Sequence, residues 1–187
     1  MAVSSIAGQP RPWKVIVGAG RTSQPGWIAT GPPLLDLLKP ATWEAFLGGE
    51  QVDAILAEHV WHMLAWDDAY FAARVCRQYL ADDGHLRIAV PDGFHPDLEY
   101  LDWVRPGGLG PSAPAHRTLY DYRKLTAQLE DAGFRVEPLE YFDERRQFHQ
   151  RDWAPIDGYV RRSSRFDDRN AGGSLKYSSL IVDARKR

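Results

Sequence analysis

One cysteine in 187 residues leaves Cys76 without an intrachain partner, so no disulfide framework holds this chain and a reducing compartment, the cytoplasm, is expected. Long apolar runs are missing too. No stretch reaches the roughly 20 residues that a bilayer-spanning helix needs, and Met1–Trp13 has no basic segment leading into an apolar one, so neither a membrane anchor nor an export signal is expected. Charge of one sign is equally scarce: 23 Lys and Arg stand against 25 Asp and Glu, for a net charge of −2. No basic track offers itself to a phosphate backbone, and no nucleic-acid partner is expected. His59 and His62 are three residues apart, but no Glu-x-x-His partner and no further His or Cys cluster accompanies them, so no metal site is expected. No internal repeat divides the chain.

What is present is ordinary globular material, 44% hydrophobic and 26% charged, in a length that suits one α/β domain with its own core. Residues 1–12 carry Ser, Ala, Gly and two prolines and read as a flexible leader; residues 13–187 read as the single domain. Seven tryptophans and eight tyrosines suit either a packed core or the walls of a ligand cleft, and the sequence leaves both open.

Strands and helices alternate along the domain. Lys14-Val-Ile-Val17 is a β-branched run that enters a turn at Gly18-Ala19-Gly20. Gly26–Thr30 is a second short strand, and Leu34–Leu38 is a third or one turn of helix. Thr42 begins a helix that Gly48-Gly49 stops; Val52–Glu58 is a strand; Trp66–Leu80 is an amphipathic helix that Asp82-Asp83-Gly84 ends. His85–Val90 is the next strand. Pro96–Pro114, rich in Pro and Gly, reads as a long loop over the cleft, expected to act as a mobile lid. Asp121 caps a helix over Tyr122–Ala132, closed by Gly133. Phe134–Phe142 and Tyr177–Ala184 read as an antiparallel hairpin at the sheet edge, with the charged stretch 143–170 as its insert. The pattern predicts a mostly parallel, doubly wound sheet with helices on both faces.

In such sheets small molecules bind outside the carboxyl ends of the strands, where the strand order reverses. The first of these ends carries Gly18-Ala19-Gly20, where absent side chains admit a ligand close to the backbone. The third glycine of a dinucleotide motif falls at Ser23, so a nicotinamide site is not supported. The strand ending at Glu58 delivers Glu58-His59-Val60-Trp61-His62 to the same edge. Trp61 suits stacking on a purine or core packing. Asp92 ends the next strand and His116 follows the loop; either suits a general base, and a capping or solvated role is open for each.

Residues Val17–Gly20, Pro25-Gly26-Trp27, Glu58-His59-Val60, Tyr79–Asp92, His116-Arg117, Ala132–Phe134, Arg165–Asn170 and Ser179–Ala184 together resemble the small bacterial S-adenosylmethionine-dependent methyltransferases of the class I, Rossmann-like superfamily. The resemblance runs from Lys14 to Lys186. It implies S-adenosylmethionine as cofactor, with Gly18, Ala19 and Gly20 facing its methionine and ribose, Asp36 near the adenine, and Glu58 and His59 flanking the methionine end. It implies Asp92 and His116 as catalytic candidates, a small-molecule or saccharide acceptor, and is compatible with a homodimer. The chain departs from the pattern at three places. Gly31 stands where a ribose-binding carboxylate is usual, Val17 where an acid precedes the first glycine, and Val60-Trp61-His62 where Leu-Glu-His is usual. A catalytically degenerate binding or partner protein on the same fold is therefore the alternative reading.

Overall fold

Short apolar runs build the sheet. β1 (Lys14–Ile16), β2 (Ile28–Ala29), β3 (Val52–Glu58) and β4 (Leu80–Val90) lie parallel to one another in the computed structural model, which describes residues 5, 6, 8 and 10–187. β5 (Phe134–Phe142), β6 (Phe148–Gln150) and β7 (Leu180–Lys186) complete the order β2-β1-β3-β4-β7-β5-β6. β7 runs antiparallel between β4 and β5, and β6 antiparallel outside β5. The β5–β7 pairing is the expected one, but it lies inside the sheet, and β6 forms the edge. The sheet is mixed, with three parallel and three antiparallel pairings.

Helix α1 (Pro40–Leu47) starts two residues before the expected cap Thr42, because Pro40 fits the first helical turn, where its missing N–H is not needed. Gly48, at φ 64°, closes it. Helix α2 (Trp66–Tyr79) buries a stripe of Ala69, Ala72, Ala73, Val75, Cys76 and Tyr79. It passes directly into β4, so Asp82-Asp83-Gly84 is extended strand and not a helix stop. Gly84 is required there: an added Cβ would sit 2.8 Å from the Asp53 carbonyl, where β3 and β4 shift register. Residues 34–38 form turns, neither strand nor helix. The expected loop contains helix α3 (Leu98–Val104), whose cap Asp97 accepts from the amides of Glu99 and Tyr100. Asp121 caps α4 (Tyr122–Asp131) as its sequence suggests.

The two faces of the sheet are covered differently. Val15, Val17, Ile55, Ala57, Leu86, Ile88, Val90, Leu180 and Val182 point to one face and pack under α1, α2 and α4 with the fully buried Trp43, Phe46 and Trp61. Ile16, Ala54, Leu56, Ala89 and Ile181 point to the other, under Trp27, Trp153 and Val160. Of the helices expected on both faces, three lie on the first; on the second the chain from 151 to 170 crosses as a strap with two single turns of 3-10 helix. An irregular segment needs polar anchors for its backbone. Arg87 provides them, donating to the carbonyls of Ala154 (3.3 Å) and Gly158 (2.8 Å) while it holds Asp183 through both carboxylate oxygens at 2.7 and 2.8 Å. Buried Glu140 adds more, accepting from Trp153 Nε1, the Ser164 amide and Ser178 Oγ.

Within the stretch expected as a free leader, Ile6 is fully buried and its amide donates to the Phe46 carbonyl. Arg11 pairs with Glu50 and Asp53. An apolar side chain beside an open core edge is drawn in by burial. Residues 1–4, 7 and 9 of that stretch lie outside the described residues.

Candidate functional site

The strand order reverses between β1 and β3, so their carboxyl ends frame the crevice where an α/β sheet receives a ligand. β1 leads into Gly18-Ala19-Gly20, with Gly18 at φ 58° and Gly20 at φ 55°. The two glycines serve different purposes. A Cβ on Gly18 would lie 2.7 Å from Val60 Cγ2, so this glycine lets the turn close on the end of β3. A Cβ on Gly20 would meet nothing within 4 Å, so Gly20 opens onto free space.

Glu58 and His59, expected to flank the methionine end of the cofactor, point to different sides of β3 by the alternation of the strand. Glu58 faces the strap, where its carboxylate accepts from the Arg162 amide at 2.9 Å. Burial pushes its carboxyl above the usual carboxylate range, and the amides of Arg162 and Arg161 pull it back. His59, at φ 56°, leaves the strand direction and turns its ring into a cavity. Its Nε2 shares a 2.9 Å hydrogen bond with Ser179 Oγ, and the Tyr177 hydroxyl stands 3.3 Å from the same oxygen.

That cavity holds about 360 Å³ beyond the ends of β3 and β4. His59, His62, His116 and Tyr177 line it with Pro91, and the segment expected as a lid supplies Tyr100, Trp103, Val104 and Ser112. Met63, Arg162 and Arg169 complete the lining, and none of the lining residues is a carboxylate. The rings pack edge to face, His62 on His116 at 4.4 Å and His59 on His62 at 5.4 Å between centroids. Arg169 lies 3.4 Å over the Tyr177 ring and pairs with Asp167. Among the described residues no group of three or more His, Cys, Asp or Glu is placed to hold a metal ion, and no helix is long and apolar enough to cross a membrane.

His116 Nδ1 donates to the Val104 carbonyl at 2.6 Å, which fixes the tautomer and leaves Nε2 as the basic nitrogen. Asp92, the other expected base, is fully buried outside the cavity lining. Its two oxygens accept from the amides of Phe94 and Phe142, each at 2.8 Å, so it ties the end of β4 to β5. Burial raises its carboxyl to about 7. Asp36 also lies outside the cavity: its Oδ1 accepts from the Leu38 amide, and its Oδ2 pairs with Lys39, closing the turn before α1. Trp61 is core, with Nε1 donating to Gln128. Arg162, Arg169, Tyr177 and Ser179 were not singled out as site residues. Arg169 and Ser179 fall in the Arg165–Asn170 and Ser179–Ala184 segments that carry the family resemblance, and Tyr177 opens the expected strand Tyr177–Ala184; Arg162 carries no such signal.

Burial holds the His59 imidazole well below its usual range, with nearby Arg162 adding to the effect, and brings His62 down to about 3. Both enter the folded state neutral. Below the ordinary histidine value of 6.5 the unfolded chain takes up these protons and the folded chain does not, so stability falls as pH drops from 6.5 toward 3. Each such group contributes about 1.4 kcal/mol per pH unit inside its window. Asp92, raised from 3.8 to about 7, works in the opposite sense between those values, since there the folded state holds the extra proton. Glu58, also raised by burial, works in the sense of Asp92, while His85 and His95, lowered by burial, work with the two cavity histidines, so four imidazoles outweigh two carboxylates. Denaturant unfolding at pH 7, 6 and 5 should show stability declining with acid, and His62→Gln should flatten the decline; an unchanged slope in that variant would contradict a buried neutral His62.

No protein-family model matches the chain, and no curated protein matches it. Solved structures do. A SAM-dependent methyltransferase from Archaeoglobus fulgidus aligns over 92% of this chain and 84% of its own, at 12% identity and TM-score 0.50. One from Thermotoga maritima aligns over 95% and 83%, at 12% identity and TM-score 0.56. The fold is that of the S-adenosylmethionine-dependent methyltransferases. LepI, solved in complex with SAM, aligns over 97% of this chain at 8% identity and TM-score 0.51, but this chain spans only 38% of it. At these identities the likeness is one of fold.

Proposed function

We propose that the chain binds S-adenosylmethionine at the Gly18–Gly20 turn and transfers its methyl group to a small molecule or saccharide held in the His59 cavity. One observation carries the reading: Gly18 packs on Val60, and the adjacent His59 lines the cavity, so the glycine turn and the cavity lie on two sides of the same β3 terminus. The open space at Gly20 fits close approach of a nucleoside to the backbone. The end of strand β2 fits less well, since Gly31 supplies no carboxylate for ribose hydroxyls. When bound, the cofactor supplies an electrophilic methyl group. The chain's own part is to seat the acceptor, exclude water with Tyr100 and Trp103, and take a proton at His116 Nε2. Asp92 keeps the β4 turn in place.

Calorimetric titration with S-adenosylhomocysteine tests this, and Gly31→Asp sharpens the test. A Cβ at Gly31 would lie 3.8 Å from Gly18 Cα, an ordinary contact, and Gly31 is not among the positive-φ glycines, so an aspartate is accommodated. A carboxylate on the ribose diol adds charge-assisted bonds of about 1.5–3 kcal/mol, so affinity should rise roughly tenfold or more. Binding to the parent chain and a gain in the variant support the reading. No heat and no thermal shift up to millimolar ligand in either chain would leave the second reading, a catalytically silent binding protein on this fold. Gly31 and the capture of Glu58 by the strap amide favour that reading.

A further inference from the structure

The cavity carries a charge pattern that neither the glycine turn nor the fold explains. Its lining holds two arginines and three histidines and no carboxylate. Arg169 is already committed, to Asp167 at 2.7 and 2.8 Å and to the Tyr177 ring. The Arg162 guanidinium makes no hydrogen bond or ion pair among the described residues; only its backbone is used, the amide donating to Glu58 and the carbonyl accepting from the Ser179 amide. A second observation points the same way. Nδ1 of His62, in a residue only 3% exposed, is buried with no hydrogen-bond partner among the described residues. A buried polar atom without a partner is uncommon; this nitrogen is closed off from the cavity and meets a ligand only if the ring turns. The same lining holds Trp103 and Met63, 54% and 45% exposed, large apolar side chains in a polar pocket.

We propose that the cavity binds an organic oxyanion, a carboxylate or phosphate on an apolar or aromatic body, its charged group on Arg162 and, once the ring has turned, on His62, and its body against Trp103 and Met63. Naming this anion as the methyl acceptor rests on the reading of the cavity as the acceptor site; anion binding itself does not need the cofactor. The arginine supplies charge-assisted bonds, the histidine a neutral N–H donor, and the rim a stacking surface. This narrows the acceptor from saccharides in general to anionic small molecules.

The experiment uses the full chain without cofactor and three probes of similar shape: benzoate, phenyl phosphate and the neutral benzamide. Dissociation constants come from NMR titration, with the ring signals of His62 as the local reporter. Both anions should bind and shift those signals, and benzamide should bind about tenfold weaker or less tightly still. Arg162→Gln, an exposed replacement that keeps the amide to Glu58, should weaken the anions about tenfold and leave benzamide unchanged. Tighter phenyl phosphate identifies a phosphate ester as the natural class, and tighter benzoate a carboxylate. Equal affinity for benzamide, no response to Arg162→Gln, or no binding of either anion overturns the proposal. Failure of S-adenosylhomocysteine to bind in the separate titration would remove the methyl-transfer reading and leave this one standing.

Discussion

Replacing Arg87 by methionine is expected to lower the melting temperature by roughly 6–20 °C. The guanidinium is 1% exposed and holds the similarly covered Asp183 with two short bonds. Removing one member of a buried ion pair leaves the other uncompensated, at about 3–5 kcal/mol, and each kcal/mol moves the midpoint of a domain this size by about 2–4 °C. The loss extends beyond the pair, since Arg87 also carries two strap carbonyls and lies 4.9 Å from the Trp153 ring. The double variant Arg87→Met/Asp183→Leu should recover much of the deficit, because no charge is then stranded. Thermal unfolding of the three chains decides it. Equal losses in single and double variants would mean that the strap anchors, and not the ion pair, carry the stability.

The second large effect separates the two glycines of the turn. Both stand at positive φ, so an alanine at either is strained by about 1–2 kcal/mol. At Gly18 the added Cβ also enters the space of Val60 Cγ2, for a further cost of about 1–3 kcal/mol by overpacking. Gly18→Ala should therefore be less stable than Gly20→Ala, and Gly18→Val less stable still. Binding should show the reverse emphasis. Gly20→Val leaves the protein folded while filling the open space, and should abolish S-adenosylhomocysteine binding. Denaturant midpoints and calorimetry on the same proteins check both halves; a folded Gly20→Val with parental affinity would make the turn purely structural.

The parts of this fold that were legible in the sequence are those fixed by local chemistry. The apolar runs of Val52–Glu58 and His85–Val90 have no alternative as strands, and Asp121 with Gly133 brackets a helix by capping alone. Helix α3 was hidden by the prolines and glycines around it, although Asp97 carried a cap signal. The place of β7 between β4 and β5 depends on pairing across tens of residues, which no local pattern records. The strap was hidden by its charge: Trp153 and Val160 are sparse among Asp and Arg, and the residues that anchor it, Arg87 and Glu140, find their partners only in the folded sheet. Of the expected site residues, His59 and His116, which follow strand and loop ends, line the cavity. Glu58 and Asp92 stand outside that lining, since the sequence gives the end of a strand but not which side each carboxylate takes.

The interior position of β7 has a bearing on how the chain reaches this state. Synthesis runs from β1 to β7, yet β5 and β6 contact the rest of the sheet through a strand made after both of them. While residues 180–186 are still on the ribosome, a nascent chain can close β1 to β4 under α1 and α2, but the edges of β4 and β5 remain unpaired side by side. Such edges are templates for pairing with other chains. The interval before β7 inserts is thus when this protein is most open to aggregation, and when a chaperone has most to protect.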